Sequence, residues 1–134
     1  MTSVFIDTNF FIYMNTPTKN IDRFIEHDEY ELSNNRTFTN VIVLDELIYI
    51  SKKKYSIPVE VTLEFIDSMI IPFTSILPLD ENDYYLLKEL IRYCPKPSDA
   101  LIVSSMKRAS ITYLLSEDND FDGVPGINRR WLDL

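Results

Sequence analysis

Short apolar runs alternate along this chain with longer segments of helical pattern, and this alternation restricts the possible folds more than any other feature. The first run lies in residues 3–6 and stops at Asp7-Thr8-Asn9, which we predict to be a polar loop. A short apolar run of this kind is typical of a strand buried on both faces of a parallel sheet. The alternation therefore predicts an α/β fold, with a mostly parallel sheet that helices cover on both faces.

The boundaries of the predicted elements follow from apolar periodicity, caps and breakers. The predicted strands are residues 3–6, 37–39, 73–79, 111–115 and 128–134. The predicted helices are residues 21–30, 41–54, 58–70, 81–93 and 99–109. Asn40, Asp80 and Ser98 are suited to cap three of these helices, and Pro58 is suited to begin another. Because no linker, repeat or low-complexity segment interrupts the pattern, we interpret residues 1–134 as a single domain.

Three residue types with special chemistry are scarce in this chain. Two glycines, one histidine and one cysteine exclude glycine-rich phosphate loops, two-histidine metal sites and cysteine zinc sites. Carboxylates are abundant instead, since 21 acids against 13 Lys and Arg residues give a formal charge of −8. This balance argues against binding of nucleic acid or membranes through general positive charge. We expect no transmembrane segment and no secretory leader, and the single cysteine fits a cytoplasmic protein.

Two of the acids follow predicted strands directly. Asp7 ends the first strand, and Asp118 follows the strand at 111–115. Ligands of open α/β sheets bind beyond the carboxyl ends of the strands, so both acids are candidates for a site. Either acid taken alone is explained at least as well as a loop former or a helix cap.

Two further acids lie on predicted helices. Asp99 shares a helical stripe with Ile102 and Met106, and a carboxylate at the end of a buried stripe needs a cation or hydrogen-bond donors. Its position in the first turn is equally explained by the helix dipole. The opposite, solvated face is predicted to carry Ser104, Ser105 and Arg108. On the helix at 41–54, periodicity does not decide whether Asp45 or Glu46 points toward a site.

Four segments resemble, in order, the motifs of the PIN-domain family. They are Val4-Phe5-Ile6-Asp7-Thr8-Asn9, residues 40–47 with Glu46, Pro97-Ser98-Asp99-Ala100-Leu101-Ile102, and Leu115-Ser116-Glu117-Asp118-Asn119-Asp120-Phe121. The similarity spans nearly the whole chain. Its length is similar to that of the short prokaryotic branch, which includes toxins of toxin–antitoxin pairs.

This resemblance implies a PIN-like three-layer α/β/α fold with about five mostly parallel strands. It also implies a Mg²⁺- or Mn²⁺-dependent ribonuclease, because hard carboxylate oxygens suit these ions and such ions assist phosphodiester hydrolysis. The implied partners are an RNA substrate, a small antitoxin protein and a second copy of the chain.

The resemblance also assigns roles to individual residues, and it selects Glu46 over Asp45. The implied catalytic acids are Asp7, Glu46, Asp99 and Asp118. Of these, Asp7, Asp99 and Asp118 are the implied metal ligands. Thr8, Asn9 and Ser116 would orient ligands or substrate, with Asp120 as an accessory acid.

Other interpretations of these residues stay open. The same fold could serve as a non-catalytic RNA- or protein-binding module. A phosphatase of the Asp-x-Asp type would need an acid where the chain has Asn9. Residues 118–123 match the first half of an EF-hand loop, but Pro125 and Arg129 occupy positions where that loop needs other residues. A local basic rim for RNA is expected from Lys52–Lys54, Lys107, Arg108 or Arg129–Arg130.

Overall fold

The computed structural model of the chain describes residues 1–16 and 21–132. The strands are β1 (Thr2–Ile6), β2 (Asn35–Asn40), β3 (Ser75–Leu77), β4 (Tyr113–Leu115) and β5 (Asn128–Arg130). The helices are α1 (Thr8–Asn15), α2 (Ile21–Asn34), α3 (Val41–Tyr55), α4 (Val59–Phe65), α5 (Glu81–Leu90) and α6 (Pro97–Arg108). A π-helical turn at Ile66–Ile70 continues α4, and a 3₁₀ turn at Asn119–Gly123 lies between β4 and β5.

All five strands are parallel and form one sheet in the order β3-β2-β1-β4-β5. The central strand β1 is paired so that Phe5 lies opposite Phe38 and Ile6 lies opposite Leu115. The residues Val4, Phe5 and Ile6 are completely buried, as expected for a strand with helices on both faces. The predicted α/β/α architecture with about five parallel strands is confirmed.

Three strands are shorter than the sequence predicts, whereas β1 and β2 begin earlier than predicted, at Thr2 and Asn35. The predicted strand at 73–79 is reduced to β3, and the one at 111–115 is reduced to β4. The predicted last strand begins at Asn128 as expected and ends at Arg130, while residues 133–134 lie outside the described residues. Among the described residues, no helix has both the length and the apolar character that a membrane crossing requires.

Helix α1 was not predicted, and the loop expected at Asp7-Thr8-Asn9 is wrong. Asp7 is instead the N-cap of this helix, and its Oδ1 accepts a hydrogen bond from the Thr8 N–H at 2.7 Å. Phe10, Phe11, Ile12 and Met14 of α1 are all buried. A helix that is buried on several sides has no amphipathic period, and this is why the pattern of the sequence does not show it.

Helix α6 differs from its prediction at its start and on its outer face. It begins at Pro97 after Lys96, so Ser98 is not its cap. Ser104 and Ser105 are buried rather than solvated, because α6 lies between other helices: the Ser104 hydroxyl donates to Asp83 of α5 at 2.8 Å. The Ser105 hydroxyl accepts from the Asn40 side-chain amide at 3.0 Å. Asn40 caps α3 as predicted, so this residue joins the end of β2 and the start of α3 to α6.

Candidate active site

Two adjacent parallel strands end side by side at one edge of the sheet. The Asp7 N–H donates to the Leu115 carbonyl at 3.0 Å, which places the residue after β1 beside the end of β4. The sequence order of the strands changes direction between β1 and β4, since β2 and β3 lie on one side and β4 and β5 on the other. This is the switch point at which open α/β sheets form their ligand crevices.

Asp7 occupies the centre of this edge, with 5% of its surface exposed. Besides the Thr8 N–H, its carboxylate accepts a hydrogen bond at Oδ2 from the Ser116 hydroxyl at 2.6 Å. Burial raises the pKa of Asp7, and the negative charges of Glu46 and Asp118 raise it further, while the two hydrogen bonds act in the opposite direction. A buried carboxylate beside other carboxylates is a position where a cation would be favourable.

Ser116 connects Asp7 to Asp118. Its buried hydroxyl donates to Asp7 and accepts from the Asp118 N–H at 3.0 Å. Asp118 in turn caps the 3₁₀ turn, since its Oδ1 accepts from the Asp120 N–H at 2.9 Å. The single hydroxyl of Ser116 therefore holds the backbone of Asp118 next to the carboxylate of Asp7.

Helix α3 contributes Glu46. The Thr8 hydroxyl donates to Glu46 Oε2 at 2.9 Å, so the side chain of Glu46 is held next to the start of α1. Asp45 is exposed and lines an outer groove together with Tyr49 and Lys52. The tertiary contact of Thr8 thus places Glu46, and not Asp45, on the side of Asp7.

Asp99 joins the other acids from the first turn of α6. Its side chain is half-buried, and its pKa is raised to about 7. Burial is the largest cause, followed by the negative charges of Asp7 and Asp118; the positive charge of Lys96 lowers it, and Glu46 raises it slightly. Asp99 is therefore partly protonated near neutral pH when no cation is bound.

The chemistry of these side chains fits a hard divalent cation. Carboxylate oxygens are the preferred ligands of Mg²⁺ and Mn²⁺, and a cation relieves the repulsion that raises the pKa values of Asp7 and Asp99. Within residues 1–16 and 21–132, however, no three Asp, Glu, His or Cys side chains already stand in an arrangement that could hold a metal ion. The four acids form an electrostatic cluster rather than a preformed cage.

Two of the residues singled out by the resemblance lie at the margin of this cluster. Asn9 is half-buried in the first turn of α1, and its neighbour Thr8, not Asn9, contacts Glu46. Asp120 is exposed, and it reaches the cluster through its backbone N–H rather than by joining the acids directly.

Two neighbours of the site were missed in the sequence. Lys96 places a positive charge close enough to Asp99 to lower its pKa. The Tyr13 hydroxyl donates to Glu117 at 2.7 Å and joins α1 to the segment that follows β4. Neither Lys96 nor Tyr13 belongs to a motif or follows a periodic pattern. The signals in the sequence are that Lys96 lies three residues before Asp99 and that Glu117, the partner of Tyr13, directly precedes Asp118.

Most cations of the expected basic rim have intramolecular partners. Arg108 pairs with Asp80 and Asp83, Arg129 with Asp122, and Arg130 with Glu31. Lys107 donates to the Pro125 carbonyl at 3.0 Å. Lys52 lines the outer groove of α3, and Lys53 donates to the Tyr49 hydroxyl at 2.9 Å. Of the predicted rim, Lys52–Lys54 lie on α3, the helix of Glu46, whereas Lys107 and Arg108 lie at the far end of α6 from Asp99.

The family model of the PIN domain matches residues 4–127. The structure of VapBC2 from Rickettsia felis, bound to a DNA fragment from its promoter, is 22% identical over 98% of this chain and 100% of that chain, with a TM-score of 0.72. DNA-bound VapBC from Salmonella typhimurium is 21% identical over 98% of each chain, with a TM-score of 0.71.

A third solved structure is that of VapC20 from Mycobacterium tuberculosis, a toxin that cleaves the Sarcin-Ricin loop. It is 13% identical over 91% of this chain and 95% of that chain, with a TM-score of 0.68. No curated protein sequence matches the chain. At these identities the solved structures establish the shared fold, while the family model spans all four of the motifs that the sequence analysis identified. The chain belongs to the PIN domain family.

Proposed function

We propose that this chain is a divalent-metal-dependent ribonuclease that hydrolyses RNA phosphodiester bonds at the acid cluster, and that it is the toxin of a toxin–antitoxin pair. The observation that carries this proposal is the convergence of four acids from four separate elements at the switch point of the sheet. They come from the ends of β1 and β4 and from α3 and α6. Membership of the PIN domain family and the likeness to a toxin that cleaves the Sarcin-Ricin loop support the choice of RNA.

In this proposal Asp7, Asp99 and Asp118 hold Mg²⁺ or Mn²⁺, directly or through water. When bound, the cation supplies Lewis-acid activation of water and stabilisation of the charge on the phosphate. Glu46 ligates the cation or orients the attacking water, since the Thr8 hydroxyl holds its carboxylate in place. Ser116 orients Asp7 and Asp118 together through the two hydrogen bonds of its hydroxyl. Asn9 and Asp120 act at the margin, on the substrate or on bound water.

The acidic net charge does not conflict with an RNA substrate in this arrangement. Bound cations offset part of the charge of the cluster, and phosphate oxygens then meet positive rather than negative charge. The lysine run of α3 begins six residues after Glu46 on the same helix, and Lys52 and Lys53 line the outer groove of that helix. We propose that Lys52–Lys54 supply the basic rim.

Cleavage of labelled single-stranded and structured RNAs tests this function. We expect cleavage with Mg²⁺ or Mn²⁺ and none with excess chelator. We also expect the rate to rise with pH through about 7, because Asp99 must lose its proton before it binds a cation. Since protons and cations compete for the same carboxylate, the midpoint should move to lower pH as the metal concentration rises. RNA binding without cleavage at any pH or metal concentration would favour the alternative of a non-catalytic binding module.

The proposed partner is a small antitoxin protein. This proposal rests on the similar folds of the chains in the VapBC complexes and in FitAcB from Neisseria gonorrhoeae. Co-expression of the chain with small proteins encoded beside it should yield a complex that copurifies and no longer cleaves RNA. Failure of every such neighbour to bind would contradict the toxin–antitoxin assignment while leaving the ribonuclease proposal intact. The predicted homodimer is measured in the same preparation by light scattering; the cytoplasmic location and the single-domain extent stay predictions.

A further inference from the structure

Arg129 of β5 uses all three of its guanidinium nitrogens within the chain. Nε and Nη2 donate to the two carboxylate oxygens of Asp122 at 2.7 and 3.1 Å. Nη1 donates to the Ser116 carbonyl at 3.1 Å. The planar fork of an arginine favours this two-pronged contact with a carboxylate, and a lysine cannot reproduce it.

These contacts hold both ends of the segment that carries Asp118. Ser116 begins the segment, and Asp122 lies in the 3₁₀ turn that ends it. The Ser116 N–H is also fixed, since it donates to the Arg130 carbonyl at 3.0 Å. One side chain thus joins the two ends of the segment, and Asp118 lies between them.

The two partners of this contact differ in their exposure. The side chain of Arg129 is 20% exposed, whereas that of Asp122 is 56% exposed. The hydrogen bonds from Arg129 are the largest cause of the lowered pKa of Asp122. The pairing with Arg129 therefore gives Asp122 a structural role. Asp122 is the acid of the EF-hand-like residues 118–123 that has no role in the proposed ribonuclease site.

We propose that Arg129 is a positioning residue, which together with Asp122 holds the segment from Ser116 to Asp122 so that Asp118 is aimed into the acid cluster. This inference rests on the proposed metal-dependent function. It differs from the sequence-based expectation that Arg129 belongs to a basic rim for RNA. The two roles predict opposite effects of breaking the pair with Asp122. If Arg129 contacts RNA, breaking the pair frees its guanidinium for a phosphate and should help RNA binding. If Arg129 positions Asp118, breaking the pair releases Asp118 and should impair the site.

Manganese binding to the protein without RNA tests the positioning role. The bound fraction is measured from the loss of the electron paramagnetic resonance signal of free Mn²⁺. We expect Arg129→Gln to weaken Mn²⁺ binding by about tenfold or more, the effect typical of removing a group that orients a metal ligand. Loss of a positive charge near the cluster would by itself strengthen cation binding, so weakening cannot arise from charge.

Two further variants complete the test. Asp122→Ala is expected to weaken Mn²⁺ binding in the same direction, and Arg129→Lys, which keeps the charge but loses the fork, is expected to stay impaired. Arg108→Gln is the matched control, since Arg108 also joins two aspartates but lies on the α5–α6 side of the fold. This control should lower the melting temperature without changing Mn²⁺ affinity.

The proposal is overturned if Arg129→Gln binds Mn²⁺ as well as the wild type while its KM for RNA rises, the result expected of a phosphate contact. Full recovery in Arg129→Lys would also overturn it. If Arg129→Gln does not fold, Arg129→Lys decides, because it keeps the charge and loses only the two-pronged contact with Asp122. Asp99→Asn separates the two proposals. If this variant binds Mn²⁺ normally, the proposed metal site is wrong. If it binds Mn²⁺ weakly while the Arg129 and Asp122 variants bind normally, only the positioning role is wrong.

Discussion

Replacing Asp99 by asparagine is expected to reduce RNA cleavage by more than ~100-fold, which exceeds the usual effect of removing a group that only orients a ligand. Asparagine has nearly the same shape, but it cannot carry the negative charge that a cation requires. In the same variant we expect the metal-free protein to become more stable. Asp99 is held among Asp7, Asp118 and Glu46, and its neutral replacement ends that repulsion.

The size of this stability change depends on pH. The pKa of Asp99 is about 7 in the folded protein and 3.8 in its ordinary state, so the folded chain binds this proton more tightly. Between these values the folded state holds more protons than the unfolded state, and the free energy of unfolding falls as the pH rises. Asp28 acts in the same direction, since burial raises its pKa to about 6. The wild type should therefore be less stable at pH 8 than at pH 5.5, with a smaller loss in Asp99→Asn.

Thermal melting at the two pH values, with and without millimolar Mg²⁺, measures both effects. The cation should raise the melting temperature of the wild type at pH 8 and not that of the variant, since a ligand stabilises the state that binds it. Asp45→Asn is the matched control, because Asp45 is an exposed acid next to Glu46. Wild-type cleavage by Asp99→Asn, or an equal loss in Asp45→Asn, would show that the cluster is not the site.

Replacing Phe10 by alanine is expected to lower the free energy of unfolding by about 3–5 kcal/mol, the usual cost of removing a buried phenyl ring. Phe10 is fully buried in α1, and its ring makes edge contacts with Phe24 of α2 and with Trp131 beyond β5. The ring therefore joins three parts of the chain. A loss of this size is a large fraction of the stability of a domain, which is typically about 5–15 kcal/mol.

Urea unfolding followed by tryptophan fluorescence measures this change. Phe73→Ala is the matched control, since Phe73 has the same side chain but is 56% exposed, and we expect it to change the unfolding free energy by less than about 0.5 kcal/mol. Equal effects of the two substitutions would contradict the position of α1 in the core. Because α1 also carries Thr8 and is capped by Asp7, unfolding of this helix should remove cleavage as well.

Much of the architecture could be predicted from local pattern. The apolar run before Asp7, the Asn40 cap and the capping residue Asp80 all act within a few residues, and the structure contains the strand and the two helices that they predict. Helix α1 could not be predicted in this way, because its buried residues surround the helix. Ser104 and Ser105 were assigned to solvent for a related reason: their polar groups are satisfied by Asp83 and Asn40, which are distant in sequence.

The sequence by itself determined the strand–helix alternation, the exclusion of cysteine zinc sites, two-histidine metal sites and glycine-rich phosphate loops, and the motifs of the family to which the chain belongs. These depend on residue type and on short spacings, which the chain carries in any conformation. Periodicity leaves Asp45 and Glu46 open, and only the family resemblance favours Glu46; the tertiary structure adds the contact with Thr8 that holds Glu46 near Asp7, and it raises the pKa of Asp99 to about 7. It also paired Arg129 with Asp122 rather than leaving it at a basic rim. Each of these depends on which charges and donors meet across the fold, because electrostatic interaction falls with distance in space and not along the chain.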